Sequence, residues 1–134
     1  SAGSQPKGEV HPMALSVLNG MGYDTTSMYS KSWSEFSKPG SPEFDFIFTV
    51  CDSAAGETCP VWIGQPMTAH WGIEDPAAVE GEGQRDAFLQ ALRYLTNRIS
   101  LFLTLPHASI DEMAMKQKLM EIGKAEGASS GAST

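Results

Sequence analysis

The sequence predicts an α/β fold in which a small parallel sheet is flanked by helices. Phe44 to Val50 is an almost continuous apolar run with many β-branched and aromatic residues, which is typical of a strand covered on both faces. Residues 67–71 form a second short run of this kind, and residues 84–105 carry an apolar stripe at helical spacing. Strands that alternate with helical segments indicate the α/β class.

The composition suits one domain and excludes several classes of partner. A chain of 134 residues with 41% hydrophobic content is expected to form one core. Its formal charge of −7 disfavours binding to nucleic acid or to an anionic membrane surface. No apolar run approaches the roughly 20 residues needed to span a bilayer, and the first residues lack the pattern of a signal peptide. We therefore expect a soluble, cytoplasmic protein.

The N-terminal third is predicted to contain one regular helix and one short helix. The regular helix is expected over about 11–20, because Pro12 suits the first helical position and apolar residues follow it at helical spacing. Between 24 and 42 the chain is rich in Ser, Thr, Gly and Pro, yet Ser32 and Glu35 have the spacing of a capping box. That spacing predicts a short helix within an irregular segment.

The C-terminal half is predicted to contain two further helices. Ser109 and Glu112 predict the cap of the last helix, and Gly123 is expected to end it. Residues 1–106 are taken as one domain, 107–125 as a C-terminal helix and 126–134 as a disordered tail. In the long helix over 84–105, five positions form the apolar stripe: Phe88, Leu92, Leu95, Ile99 and Phe102.

Two cysteines and an aspartate are the candidate catalytic residues. Cys51 follows the first predicted strand directly, and sites in open parallel sheets gather at the carboxyl ends of strands. A thiolate there could attack a disulfide or a sulfenylated partner, and Cys59 on the next loop could displace it in turn. Asp75, stiffened by Pro76, could protonate a leaving oxygen. The competing interpretations are a buried small cysteine, an unrelated loop thiol and an ordinary Asp-Pro turn.

A metal site is not predicted. His70 together with the two cysteines suggests zinc, but the three residues lack paired short spacing and a fourth ligand is not evident. His11 is expected to cap the first helix instead. The predicted set of site residues is therefore Cys51, Cys59 and Asp75, without a metal.

Several motifs together resemble the arsenate reductases built on the low-molecular-weight tyrosine phosphatase fold. The resemblance implies a three-layer α/β fold and a reaction in which a cysteine attacks arsenate, Asp75 serves as the acid, and Cys51 and then Cys59 resolve the adduct. It also implies an external thiol reductant such as thioredoxin, glutaredoxin or a low-molecular-weight thiol, and no cofactor. The motifs lie within about residues 1–106: Ser1-Ala2-Gly3, His11-Pro12, Cys51 to Cys59, Gly64-Gln65-Pro66, His70-Trp71-Gly72 and Asp75-Pro76.

One part of the family's pattern has no counterpart among these residues. Members of the family begin with a strand and a phosphate-cradling loop, C-x-x-x-x-x-R-S. Six positions after Cys51 is Glu57, and six after Cys59 is Gln65, so neither cysteine begins such a loop. We therefore expect an N-terminally incomplete and by itself inactive chain. It would be part of a longer polypeptide, or a homo-oligomer completed by exchange of strands or helices.

Two alternatives to the reductase stay open. A low-molecular-weight protein tyrosine phosphatase would use Asp75 to protonate the tyrosyl oxygen, and its two cysteines would be incidental. A catalytically inactive binding or regulatory module would keep the fold without the loop. The expected ligand of the reductase or the phosphatase is arsenate or a phosphate-like oxyanion.

Overall fold

A computed structural model describes residues 1–51 and 62–129, and it confirms the α/β class. The two strands are parallel, in register from Phe46 opposite Met67 to Thr49 opposite His70. Within these ranges three short 3₁₀ helices join the regular elements: Trp33–Phe36, Pro76–Ala78 and Gly81–Gly83. The regular elements in chain order are helix α1 (Pro12–Gly20), strand β1 (Phe46–Thr49), strand β2 (Met67–His70), helix α2 (Gln84–Leu103) and helix α3 (Glu112–Ile122).

The helix starts follow local chemistry, with one correction. His11 Nδ1 accepts a hydrogen bond from the Met13 N–H at 3.0 Å, as predicted for the cap of α1. The prediction that Ser109 caps the last helix was wrong. Asp111 Oδ1 accepts from the Ala114 N–H at 2.8 Å, because Ser109 belongs to the preceding turn, where its N–H donates to Pro106 O.

The core lies between the sheet and α3. Trp71, Met115, Leu119 and Ile122 form its buried cluster. The Trp71 ring stacks on Phe48 with 3.8 Å between ring centroids, and its Nε1 donates to Leu119 O at 2.9 Å. A buried aliphatic or aromatic side chain contributes about 1.5–3 kcal/mol, so this cluster is the main source of stability that joins α3 to the sheet.

Strand β1 is less covered than the sequence predicts. All four of its residues are half-buried rather than buried on both faces. Within the described ranges the sheet has two strands, so β1 has a hydrogen-bonded neighbour, β2, along one edge. Helices α1 and α2 pack against each other, and α3 packs on β2.

The end of the described chain makes contacts with the segment after β2. Ala128 forms an antiparallel bridge with Ile73, and the Ser129 N–H donates to Gly72 O at 3.1 Å. Residues 130–134 lie outside the described ranges, and the domain boundaries stay a prediction. Within 1–51 and 62–129, no helix combines the length and apolar character needed to cross a bilayer.

Candidate functional site

A cleft of about 630 Å³ lies where the ends of β1 and β2 meet α1 and α2. Its walls are mostly aliphatic and aromatic, as is common for ligand pockets. The lining residues are Ala14, Val17 and Leu18 from α1, Val50 and Cys51 after β1, Ile73 to Pro76 after β2, and Phe88, Ala91, Leu92 and Leu95 from α2. The cleft therefore brings two of the three predicted site residues, Cys51 and Asp75, into one place.

Cys51 reaches the cleft because it follows β1 with one intervening residue, Val50. Its side chain is exposed. The Val50 carbonyl accepts a hydrogen bond from the Ile73 N–H at 3.1 Å, which ties the exit of β1 to the exit of β2. Cys51 then lies one residue beyond this bond and Asp75 two residues beyond it. A single backbone contact thus positions both segments that carry the predicted chemistry.

Asp75 is oriented by the short helix that follows it. Its Oδ1 accepts from the Ala77 N–H at 2.9 Å, and Pro76 occupies the first position of the 3₁₀ helix Pro76–Ala78. That helix packs on α2. Asp75 is exposed, and it lines the same cleft as Cys51. The Asp-Pro pair is therefore a capped turn, and this geometry is compatible with an acid held at the rim of a site.

The described lining of the cleft is acidic and contains no cationic side chain that could bind an oxyanion. Among the described lining residues, Glu74 and Asp75 are the ionisable carboxylates, and there is no Lys, Arg or His. Tetrahedral oxyanions require N–H donors or a guanidinium. Arsenate or phosphate would therefore need donors beyond the described lining of this cleft.

The remaining predicted positions give a mixed result. Cys59 lies outside the described residues. His70 Nδ1 is 2.7 Å from Thr49 Oγ1, so the histidine pairs across the two strands. No group of three metal-ligating side chains occurs within 1–51 and 62–129. The catalytic roles of Cys51, Cys59 and Asp75 stay predictions.

Arg98 is a residue of this region that the sequence interpretation missed. Its side chain is 0% exposed, and Nη1 donates to Trp71 O at 2.7 Å and to Gly72 O at 3.2 Å. The predicted stripe contained Ile99, which is 50% exposed. The signal was present, because Arg98 lies three positions after Leu95 and four before Phe102, within the apolar stripe. An arginine at such a position indicates a buried polar contact.

Comparison with known proteins identifies the family. The family model described as low molecular weight phosphotyrosine protein phosphatase matches residues 1–118. The chain belongs to this family. The match confirms the resemblance and the fold class inferred from the motifs.

Curated relatives of this phosphatase-family chain carry the name arsenate reductase. The protein from Oceanobacillus iheyensis is 30% identical over 104 residues, which cover 76% of this chain and 71% of that protein. The protein from Bacillus licheniformis is 33% identical over 95 residues, covering 69% of this chain and 64% of the relative. The protein from Bacillus subtilis is 30% identical over 104 residues, with 76% and 71% covered. The matched parts thus span about two thirds of these relatives' length.

Proposed function

We propose that this chain carries the resolving part of an arsenate reductase. The observation that carries the proposal is the placement of Cys51 and Asp75 at one cleft, in a chain whose relatives are named arsenate reductases. The nucleophilic cysteine and its oxyanion loop are proposed to come from outside these 134 residues, because neither cysteine here begins a C-x-x-x-x-x-R sequence. The reducing conditions that such thiols need are those of the cytoplasm.

The proposed reaction is a two-electron reduction of arsenate to arsenite. The nucleophilic thiolate attacks arsenic(V) and displaces an arsenate oxygen, which Asp75 protonates so that it leaves as water. The Cys51 thiolate then attacks the sulfur of the adduct. A disulfide forms between the two cysteines, and the sulfur–arsenic electron pair departs with arsenic as arsenite. Both electrons therefore come from the two thiols.

Cys59 has the transfer role in this proposal. Its thiolate attacks the Cys51 sulfur, which releases the nucleophilic cysteine and leaves a Cys51–Cys59 disulfide. An external thiol reductant, either one dithiol protein of the thioredoxin or glutaredoxin type or two molecules of a low-molecular-weight thiol, reduces that disulfide to two thiols and is itself oxidised to a disulfide. No bound cofactor takes part.

The test is arsenate-dependent oxidation of a coupled thiol reductant by the longer polypeptide that includes the nucleophilic cysteine, with the intact mass of that polypeptide determined in the same preparation. We expect turnover that requires arsenate and is lost in Cys51→Ser. Asp75→Asn should lower kcat about 100-fold or more, because general acids contribute about 10²–10⁴-fold. Asp111→Asn is the matched control, since Asp111 caps α3 as Asp75 caps its 3₁₀ helix. Absence of arsenate-dependent turnover, or full turnover by Cys51→Ser, would contradict the proposal.

A second candidate is a phosphatase that acts on an aryl phosphate. The apolar wall formed by Phe88 and Leu92 favours an aromatic substrate group beside Asp75. In this case a phenyl phosphate would be hydrolysed without any thiol reductant, and Cys51→Ser would keep the wild-type rate. If the wild-type protein catalysed neither reaction, a binding or regulatory module would be the favoured function.

A further inference from the structure

Just beyond the last paired residues of the two strands, Thr49 and His70, the spacing of the hydrogen bonds between the two segments changes at Gly72. Up to Thr49 and Trp71 the strands advance together, and the Trp71 N–H donates to Thr49 O at 2.7 Å. The next bond joins the Ile73 N–H to Val50 O at 3.1 Å. From the first bond to the second, the segment after β1 advances by one residue, from Thr49 to Val50. The segment after β2 advances by two residues, from Trp71 to Ile73. Gly72 is therefore an inserted residue, as in a β-bulge, and bulges commonly redirect a chain next to an active site.

This inserted residue determines the position of the Asp75 segment relative to the Cys51 segment at the end of the sheet. Cys51 follows Val50 directly, and Asp75 follows Ile73 by two positions. A chain without the insertion would displace the Asp75 segment relative to Cys51. The separation of the proposed acid and the proposed thiol thus depends on what holds Gly72 in place.

Arg98 is the side chain that holds the insertion. Its Nη1 donates to the carbonyls on both sides of the Trp71–Gly72 step, at 2.7 and 3.2 Å. The Gly72 carbonyl also accepts from the Ser129 N–H at 3.1 Å. Because a bulge disturbs the normal ladder, these carbonyls need donors from elsewhere. A guanidinium offers donors in a fixed planar arrangement that suits two neighbouring acceptors.

The cost of this arrangement argues for a role beyond packing. Arg98 is 0% exposed, and its Nε and Nη2 have no hydrogen-bond partner among the described residues. Burial lowers the pKa of Arg98 from its usual value, yet an arginine stays charged at neutral pH. A buried charge with unsatisfied donors is unfavourable, so packing alone would favour an apolar side chain here.

We infer that Arg98 is a positioning residue, which holds the Trp71 and Gly72 carbonyls and thereby sets the position of Asp75 relative to Cys51. The inference rests on the proposed function, in which these two residues act on one arsenate adduct. One consequence is independent of arsenate chemistry: loss of the Arg98 side chain should break the hydrogen bond between the Ile73 N–H and Val50 O.

The experiment compares Arg98→Met, Arg98→Lys, Asp75→Asn and the double variant of Arg98→Met with Asp75→Asn. Arg85→Met is the matched control, because Arg85 lies on the same helix, is exposed, and donates to Ser16 of α1 and not to the segment after β2. Arsenate kcat and KM are measured for each protein, together with hydrogen exchange of the Ile73 and Ser129 amides. The full polypeptide that shows wild-type turnover is used throughout.

For Arg98→Met we expect kcat to fall about tenfold or more with KM within about threefold, since a misplaced group affects the transition state most. The Ile73 and Ser129 amides should exchange at least about tenfold faster. The double variant should be no slower than Asp75→Asn alone, because both changes remove the same contribution. Arg98→Lys should recover part of the loss, since an ammonium can still donate to a carbonyl.

Two outcomes would overturn the inference. Wild-type exchange of Ile73 in Arg98→Met overturns it, whatever the kinetics. Multiplicative losses in the double variant also overturn it, because they indicate a merely structural effect. If Arg98→Met does not fold, Arg98→Lys with and without Asp75→Asn carries the same comparison. A normal kcat in Asp75→Asn contradicts the proposed acid instead, and the exchange result still decides the role of Arg98.

Discussion

At the residue scale, Leu119 joins α3 to the sheet. Leu119 is 0% exposed, and its carbonyl accepts from Trp71 Nε1 at 2.9 Å. The side chain and the backbone of one residue therefore support the same contact. Leu119 has helical spacing with Met115 and Ile122 in the sequence, and all three lie in the buried cluster.

Leu119→Ala is predicted to lower the free energy of unfolding by about 2–5 kcal/mol, because it leaves a cavity in the buried cluster. Urea denaturation monitored by tryptophan fluorescence measures this change. Met113→Ala is the control on the same helix, because Met113 is 83% exposed and should cost little. Equal losses in the two variants would show that the cluster is not the core.

Asp24 is predicted to titrate below its ordinary pKa. The N–H of Thr26 donates to Asp24 Oδ1 at 3.0 Å and the Thr26 hydroxyl does so at 2.7 Å, and these bonds lower the pKa of Asp24 from 3.8. Ionisation therefore favours the folded chain, so this contribution is present above about pH 4 and is lost as the pH falls through the lowered pKa. An NMR titration of the Asp24 carboxyl carbon tests the direction. Thr26→Ala should move its pKa back toward 3.8.

At the scale of elements, the segment after α3 holds the exit of β2. Ala128 bridges to Ile73, and Ser129 donates to Gly72 O. Arg93 reinforces the approach of this segment with an ion pair to Glu126 at 3.6 Å. Composition predicted disorder for this stretch, because its small polar residues carry no periodic signal. The contacts of residues 126–129 depend on the position of α2, because its Tyr94 lies beside Gly127 and its Arg93 pairs with Glu126.

Gly127→Ala is predicted to destabilise the protein more than Gly22→Ala. Both glycines have a left-handed φ, +92° and +88°, so an alanine pays a similar backbone cost of about 1–2 kcal/mol at either site. A Cβ at Gly127 would also collide with the Tyr94 ring, whereas nothing lies within 4 Å at Gly22. We expect an additional loss of about 1–3 kcal/mol at Gly127, measured by urea denaturation. A difference below the error of that measurement would contradict the close packing of this segment.

At the scale of the whole molecule, several large apolar side chains of the described residues are exposed, among them Val50, Ile99 and Leu103. Exposed apolar surface of this kind favours contact with another segment or another copy of the chain. The apolar cleft and the second edge of β1 are the described surfaces that another segment would cover.

The 134-residue polypeptide is therefore predicted to self-associate when studied by itself. Sedimentation velocity over a range of concentrations should show a species larger than the 14.4 kDa monomer. Leu92→Asp, within the cleft, should weaken the association by placing a charge on an apolar wall. Leu101→Asp, which does not line the cleft, should not. A compact monomer at all concentrations would contradict this prediction.

Short-range rules determined much of this protein from its sequence alone. Helical spacing, the His11 cap and the β-branched run before Cys51 act within a few residues, so α1, β1 and α2 were predictable, and so was a thiol at a strand end. The motifs also predicted the family. The cap at Asp111 was missed because two capping residues, Ser109 and Asp111, lie close together and only the preceding turn selects between them.

The tertiary structure alone decided the cleft and the contacts of Arg98. The carbonyls that Arg98 binds lie 27 and 26 positions earlier in the chain. No local pattern encodes that distance, and the change in hydrogen-bond spacing at Gly72 appears only when β1 and β2 pair. Burial of a charge is set by the elements that surround it, so a sequence shows the arginine within an apolar stripe but not the carbonyls that it serves.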